Sequence, residues 1–298
     1  MHADPSNRAA AEVAMQRRAW LKAAGALAGG ALVPMRSSLA AQGALQLRFN
    51  FGMNNPGATD LPLQRLWMYL PVRRNAWWAL DGIETGLPHE LQSDPLGHTI
   101  LFVAIDKLGA YARRVAALTV NLNQSAAPLP AARNAQDWLA PERYIESDHE
   151  AIAAQALALK SATDAGTVRN IYEFVASRMD YAGYMPEDFG ALYALRQRRG
   201  DCSEYACLVV ALCRASGIPA RMVEGYVTDR SFAPRPMDFH DWAEVLVDGQ
   251  WRVVDAQKRA LLERDAQYIA FRYYRDKALN GVGLAHRYRL EGEMEFSV

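Results

Sequence analysis

Arg199-Gly200-Asp201-Cys202-Ser203-Glu204-Tyr205-Ala206-Cys207-Leu208-Val209-Val210-Ala211-Leu212-Cys213-Arg214-Ala215-Ser216-Gly217-Ile218-Pro219-Ala220-Arg221 decides how the rest of the chain is read. Gly200 permits a tight turn. Asp201 suits an N-cap, and Cys202 then falls in the first helical turn. Tyr205 to Cys213 is apolar on nearly every face, which predicts a helix enclosed by protein. Gly217 is a C′ stop, Pro219 forbids continuation, and the chain resumes as a strand from Arg221 to Val227. A thiol in this place meets the positive end of the helix dipole, which favours thiolate. That is a placement for a nucleophile. Its use depends on what lies downstream.

Downstream, Phe239-His240-Asp241-Trp242-Ala243-Glu244-Val245-Leu246-Val247 and Gln250-Trp251-Arg252-Val253-Val254-Asp255 flank Asp248-Gly249, a strong hairpin signal. If Asp248-Gly249 is a two-residue type I′ turn, Val247 pairs with Gln250 and Asp255 falls opposite Trp242. His240 and Asp255 are then diagonal neighbours on one face, with Cα atoms about 7–8 Å apart. A three-residue loop would put Asp255 on the other face. A cysteine nucleophile needs a base, and the base needs an orienting group. His240 and Asp255 fit those two roles, although a histidine beside a tryptophan is more often a surface or core residue. His2, His89, His98, His149 and His286 lie in no comparable setting.

The chain has 298 residues, enough for two modest domains or one large one. Its 51% apolar and 22% charged residues suit a soluble globular protein, and 33 basic residues balance 33 acidic ones. That balance gives no reason to expect nucleic acid as a partner. No metal-ligand spacing, phosphate loop or cofactor motif is present. Cys207 and Cys213 lie six apart on the predicted helix, about 9 Å of rise, which is too far for a disulfide. Both read as small buried apolar residues.

Residues 1–42 read as an export signal to be set aside. Gln16-Arg17-Arg18-Ala19-Trp20-Leu21-Lys22 resembles a twin-arginine signal. An Ala/Gly-rich apolar run from Ala23 to Val33 and small residues at Ser38-Leu39-Ala40-Ala41 follow. Twin-arginine export carries folded proteins, consistent with a free thiol and no disulfide framework. It implies a periplasmic or secreted protein with no stable membrane insertion after cleavage. Residues 43–125 show spaced strand signals, notably Arg65–Val72, Thr99–Ile105 and Arg113–Asn123. They predict a small β-sandwich domain. Residues 126–146 read as a linker, rich in Ala and Pro in its first part. Residues 147–298 hold the helices and the catalytic candidates: Ser147-Asp148 caps a helix from Glu150, and Thr163-Asp164 caps another running to Arg178. The tail from Ala260 onward has no clear pattern.

Gly200-x-Cys202, then Leu212-Cys213-Arg214-Ala215-x-Gly217-Ile218-Pro219-Ala220-Arg221, then Gly225-Tyr226, resembles the nucleophile block of the transglutaminase-like superfamily. His240-x-Trp242-x-Glu244-Val245 and Gly249-x-Trp251-x-x-x-Asp255 resemble its second and third blocks, and the likeness spans roughly residues 150–257. The family's usual Asp-Pro-Thr ending is Asp255-Ala256-Gln257 here. The resemblance implies an α+β, papain-like core in which a central helix packs on an antiparallel sheet. It implies Cys202 as nucleophile, His240 as base and then acid, and Asp255 as its orienter, with no cofactor. The reaction class would be acyl transfer at a peptide or protein amide, by hydrolysis or by cross-linking; a peptide-binding module without turnover is the remaining alternative. The Cys202 N–H is one natural oxyanion donor. Tyr181 reads more readily as a packed core tyrosine than as the second. Trp242 and Trp251 are expected to shield the hairpin, and Glu224 and Glu244 to pair with Arg214 or Arg221.

Overall fold

The structure, a computed structural model, describes residues 43–125, 135–263 and 266–298. The expected signal at 1–42 lies outside the described residues. Alternation of apolar residues builds the first strands. In β1 (Ala44–Asn54) every second side chain, Leu45, Leu47, Phe49, Phe51 and Met53, is buried. β6 (Arg113–Gln124) runs antiparallel to β1 and buries Leu118, Val120 and Leu122. With β3 (Trp78–Thr85) they make one sheet. β2 (Gln64–Leu70), β4 (Glu90–Ser93) and β5 (Thr99–Ile105) make a second, and one apolar core cluster takes residues from both.

Each of these sheets gains its fourth strand from the tail. β14 (Tyr288–Glu291) pairs with β2, and β15 (Glu295–Ser297) pairs with β1. The tail showed no pattern in the sequence because both strands are short edge strands whose partners lie more than 200 residues away. In the stretch 126–146, the described part begins with a 3-10 turn at Ala135–Trp138. Trp138 is buried there, edge-on to Trp251 and Tyr273.

The remaining elements form an α+β core. Helices α1 (Glu150–Leu159), α2 (Asp164–Arg178) and α3 (Gly190–Gln197) surround α4 (Cys202–Ala215), which has no exposed residue. Burial of Leu208, Val209, Val210 and Leu212 contributes about 1.5–3 kcal/mol per side chain. Thr163 caps α2 as expected. α1 is capped by His149, not by Ser147-Asp148: His149 Nδ1 accepts from the Ala151 N–H at 3.0 Å. α4 packs on a five-stranded antiparallel sheet of order β12-β11-β10-β9-β13. Its strands are β9 (Ala220–Val227), β10 (Phe239–Val247), β11 (Gln250–Asp255), β12 (Ala260–Glu263) and β13 (Tyr268–Tyr273). A two-residue parallel pair, β7 (Asp180–Tyr181) with β8 (Arg199–Gly200), sets Tyr181 beside Gly200 at the entry to α4.

The β10–β11 hairpin takes the two-residue turn. Val247 pairs with Gln250, and Asp248 and Gly249 have φ of 52° and 72°, the left-handed values a type I′ turn needs. On β9, Gly225 sits opposite His240 of β10 and opposite Ala270 of β13. A Cβ there would run into the Ile269 carbonyl oxygen and the Trp242 ring, so only glycine fits between these strands.

Candidate active site

Asp201 begins α4 with a reciprocal capping box. Its Oδ1 accepts from the Ser203 N–H at 2.9 Å, and its own N–H donates to Glu204 Oε2 at 3.1 Å. The same two carboxylates hold the preceding loop, through the Met185 N–H on Asp201 Oδ2 and the Phe189 N–H on Glu204 Oε1, both at 2.9 Å. Cys202 is fixed as the first residue of the helix. Cys202, Cys207 and Cys213 are free thiols, and Cys202 is the one that is not buried.

The hairpin register has the predicted consequence. His240 Nε2 lies 2.6 Å from Asp255 Oδ2, and both side chains are buried. Two further donors fix the carboxylate: the Lys258 N–H on Oδ1 at 2.8 Å and the Tyr268 hydroxyl on Oδ2 at 3.0 Å. Burial alone would raise the Asp255 carboxyl; the hydrogen bonds from His240, Lys258 and Tyr268 and the His240 charge outweigh it and hold the group below the usual carboxylate range.

Cys202 meets the strand at the residue after His240. Its Sγ lies 3.8 Å from Asp241 Oδ2 and is hydrogen-bonded by the Asp241 backbone N–H, the amide that joins Asp241 to His240. Cys202 and His240 therefore adjoin the same peptide unit, while among the described residues no hydrogen bond runs directly between them. Burial first, then the charges of Asp241 and Asp201, push the thiol up, and these effects outweigh the helix dipole.

A cleft of about 610 Å³ opens on Cys202. Tyr181 lines it and is exposed, so it is not the packed core residue expected. Burial of its ring and, after it, the charge of Cys202 push its phenol up. Asp241 also lines the cleft. Its carboxyl is buried, Oδ1 has no hydrogen-bond partner, and burial followed by the charge of Glu224 drives its pKa well up. Asp188, His286 and Arg287 complete the charged part of the wall. His286 Nε2 binds Asp188 Oδ2 at 3.0 Å and its Nδ1 lies 3.2 Å from Glu224 Oε1; these bonds raise the imidazole to about 11.

Of the expected ion pairs, Arg221–Glu244 forms at 2.6 Å. Glu224 instead pairs with Arg272, and Arg214 with Glu142 at 2.8 Å. Both partners lie far from the motif in sequence. Asp241, Tyr268, Asp188, His286 and Arg287 were likewise not singled out, since no local pattern links them to Cys202. The capping box was legible as Asp201-x-x-Glu204.

Comparison with known proteins followed the same segment. Residues 151–256 match the family described as the Transglutaminase-like superfamily. No curated protein matches the chain. Among solved structures, a candidate cysteine protease from Cytophaga hutchinsonii is 18% identical, with a TM-score of 0.57 over 86% of this chain and 90% of that one. This is a likeness of fold. The periplasmic domain of TgpA from Pseudomonas aeruginosa is 18% identical over 74% of this chain and 92% of its own, with a TM-score of 0.38. Red sea bream transglutaminase is 13% identical over 74% and 49%, with a TM-score of 0.28. Residues 151–256, which hold α4 and the His240–Asp255 pair, thus carry a transglutaminase-like core.

Proposed function

We propose that the protein performs thiol-dependent acyl transfer at amide bonds through Cys202, His240 and Asp255, with water as the usual acceptor, so that it hydrolyses a peptide or other amide in the cell envelope. The observation that carries this reading is the 2.6 Å bond between His240 and Asp255, formed one peptide unit from the Cys202 sulfur.

Asp255 accepts the Nε2–H of His240 and so leaves Nδ1 as the basic nitrogen. His240 takes the thiol proton as Cys202 attacks the carbonyl carbon. The S–C bond forms, the C–N bond breaks, and His240 returns the proton to the departing amine. Water then attacks the thioester, its proton passing to His240 and back to the sulfur. The Cys202 N–H at the start of α4 stabilises the oxyanion, with Tyr181 as a second donor from the cleft. The sandwich of residues 43–125, completed by β14 and β15, scaffolds this site, the rest of 147–298 is the catalytic part, and residues 1–42 direct export by the twin-arginine route. No described helix is long and apolar enough to cross a membrane.

Activity-based labelling with Cys202→Ala as control, followed by mass spectrometry of the trapped acyl-enzyme, tests the reading. Labelling lost in the Cys202→Ala variant and an acyl adduct on Cys202 are expected. Labelling that persists without the thiol overturns it. Amine release accompanied by incorporation of an added amine would mark cross-linking; release without incorporation marks hydrolysis.

A further inference from the structure

The segment between β13 and β14 brings His286 and Arg287 into the wall of the Cys202 cleft, and both lie beyond the matched segment 151–256. The cleft also holds three carboxyl groups, each answered within the protein. Asp188 binds His286 at 3.0 Å. Asp201 accepts three hydrogen bonds at the start of α4, from the Ser203 N–H, the Ser203 hydroxyl and the Met185 N–H. Asp241 is buried with Oδ2 against the thiol and with the Glu224 charge nearby, which favours its neutral form.

Arg287 is the contrast. Its guanidinium carbon lies 5.2 Å from the Phe239 ring centre, and Nη2 lies 3.4 Å from the Tyr226 hydroxyl. Among the described residues no carboxylate pairs with it. The side chain is half-buried, and the Arg287 carbonyl accepts from the Tyr69 N–H at 3.0 Å, which fixes its backbone to β2. A guanidinium laid on an aromatic face, anchored at its backbone and facing a concave site with donors unspent, suits bidentate capture of a carboxylate.

We infer that Arg287 sets the substrate class, binding a carboxylate that the amide substrate carries near its scissile bond, so that the protein acts on anionic peptides in preference to neutral ones. This rests on the thiol acyl-transfer reading of Cys202. Exposed Tyr181, Tyr184 and Met237 give other parts of the cleft an apolar lining for the rest of the peptide.

Iodoacetate and iodoacetamide deliver the same electrophilic carbon with and without a negative charge, so they read the cleft's charge preference without a known substrate. Cys207 and Cys213 are only 2% and 0% exposed, so the folded protein takes the label at Cys202, located by peptide mass. The ratio of the iodoacetate to the iodoacetamide rate cancels changes in thiol reactivity between variants. That ratio should fall roughly fivefold in Arg287→Gln and stay within about twofold of wild type in Arg287→Lys, which keeps the charge. An unchanged ratio in Arg287→Gln overturns the inference. An equal fall in both variants does so too, because it assigns the effect to lost packing. A wild-type Cys202 that reacts with neither reagent overturns the thiol reading itself, whatever the variants do.

Discussion

Asp255 receives three donors on its two carboxylate oxygens, and the shortest contact is the one from His240 Nε2 at 2.6 Å. Asp255→Asn keeps the shape but removes the charge that fixes the ring tautomer. Turnover should fall roughly a hundred- to ten-thousandfold, read as kcat on whatever amide the labelled acyl-enzyme identifies. The same substitution tests stability against pH. The Asp255 carboxyl is held below its unfolded value, so its stabilisation is complete above the unfolded pKa of about 3.9. It is lost as pH falls through the folded value. Wild type should therefore lose more stability below about pH 4 than Asp255→Asn does, in urea melts across that range.

Tyr268 acts through Asp255. Removing its hydroxyl in Tyr268→Phe takes one donor from the ionised carboxylate and raises the Asp255 pKa. The acid limb of the rate profile should move to higher pH, with a stability loss of about 1 kcal/mol. A stability loss without any movement of the limb would assign Tyr268 to packing alone.

Asp241 works against the nucleophile. Burial keeps the Asp241 carboxyl neutral until the pH rises; where Cys202 itself titrates, the ionised Asp241 beside Sγ opposes thiolate formation, whereas asparagine never ionises. In Asp241→Asn the pH at which iodoacetamide labelling of Cys202 reaches half its maximum should drop, by about one unit. An unmoved midpoint would show that burial alone sets the thiol.

Gly225 is the tightest point of the sheet. Gly225→Ala forces a methyl group against the Ile269 carbonyl oxygen between two paired strands, where no flexible side chain can give way. Unfolding free energy should fall by about 1–3 kcal/mol, measured as a lower denaturant midpoint with the slope unchanged. Because Gly225 faces His240 across the β9–β10 ladder, labelling of Cys202 should also slow.

The sequence was most legible where local rules act. Apolar alternation marks β1 and β6, Asp201 and Gly217 bound the buried helix, and the parity around Asp248-Gly249 places His240 and Asp255 on one face. Other features depend on contacts no local window contains. Glu224 finds Arg272, 48 positions on, and Tyr268 reaches Asp255 from a strand two places across the sheet from β10. The helix dipole at Cys202 is opposed first by burial of the thiol and then by Asp241, which the hairpin delivers from a distant part of the chain.

The strands β14 and β15 close sheets whose first strands lie more than two hundred positions earlier. Synthesis runs from N-terminus to C-terminus, so the two sheets must wait, each short of an edge, until residues 288–297 emerge. The wall of the cleft that bears His286 and Arg287 waits with them. Pairing across such separations is slow. A chain that stops short of residue 288 leaves one edge of each sheet open, and the segment that carries His286 and Arg287 loses the strand that ties it to β2.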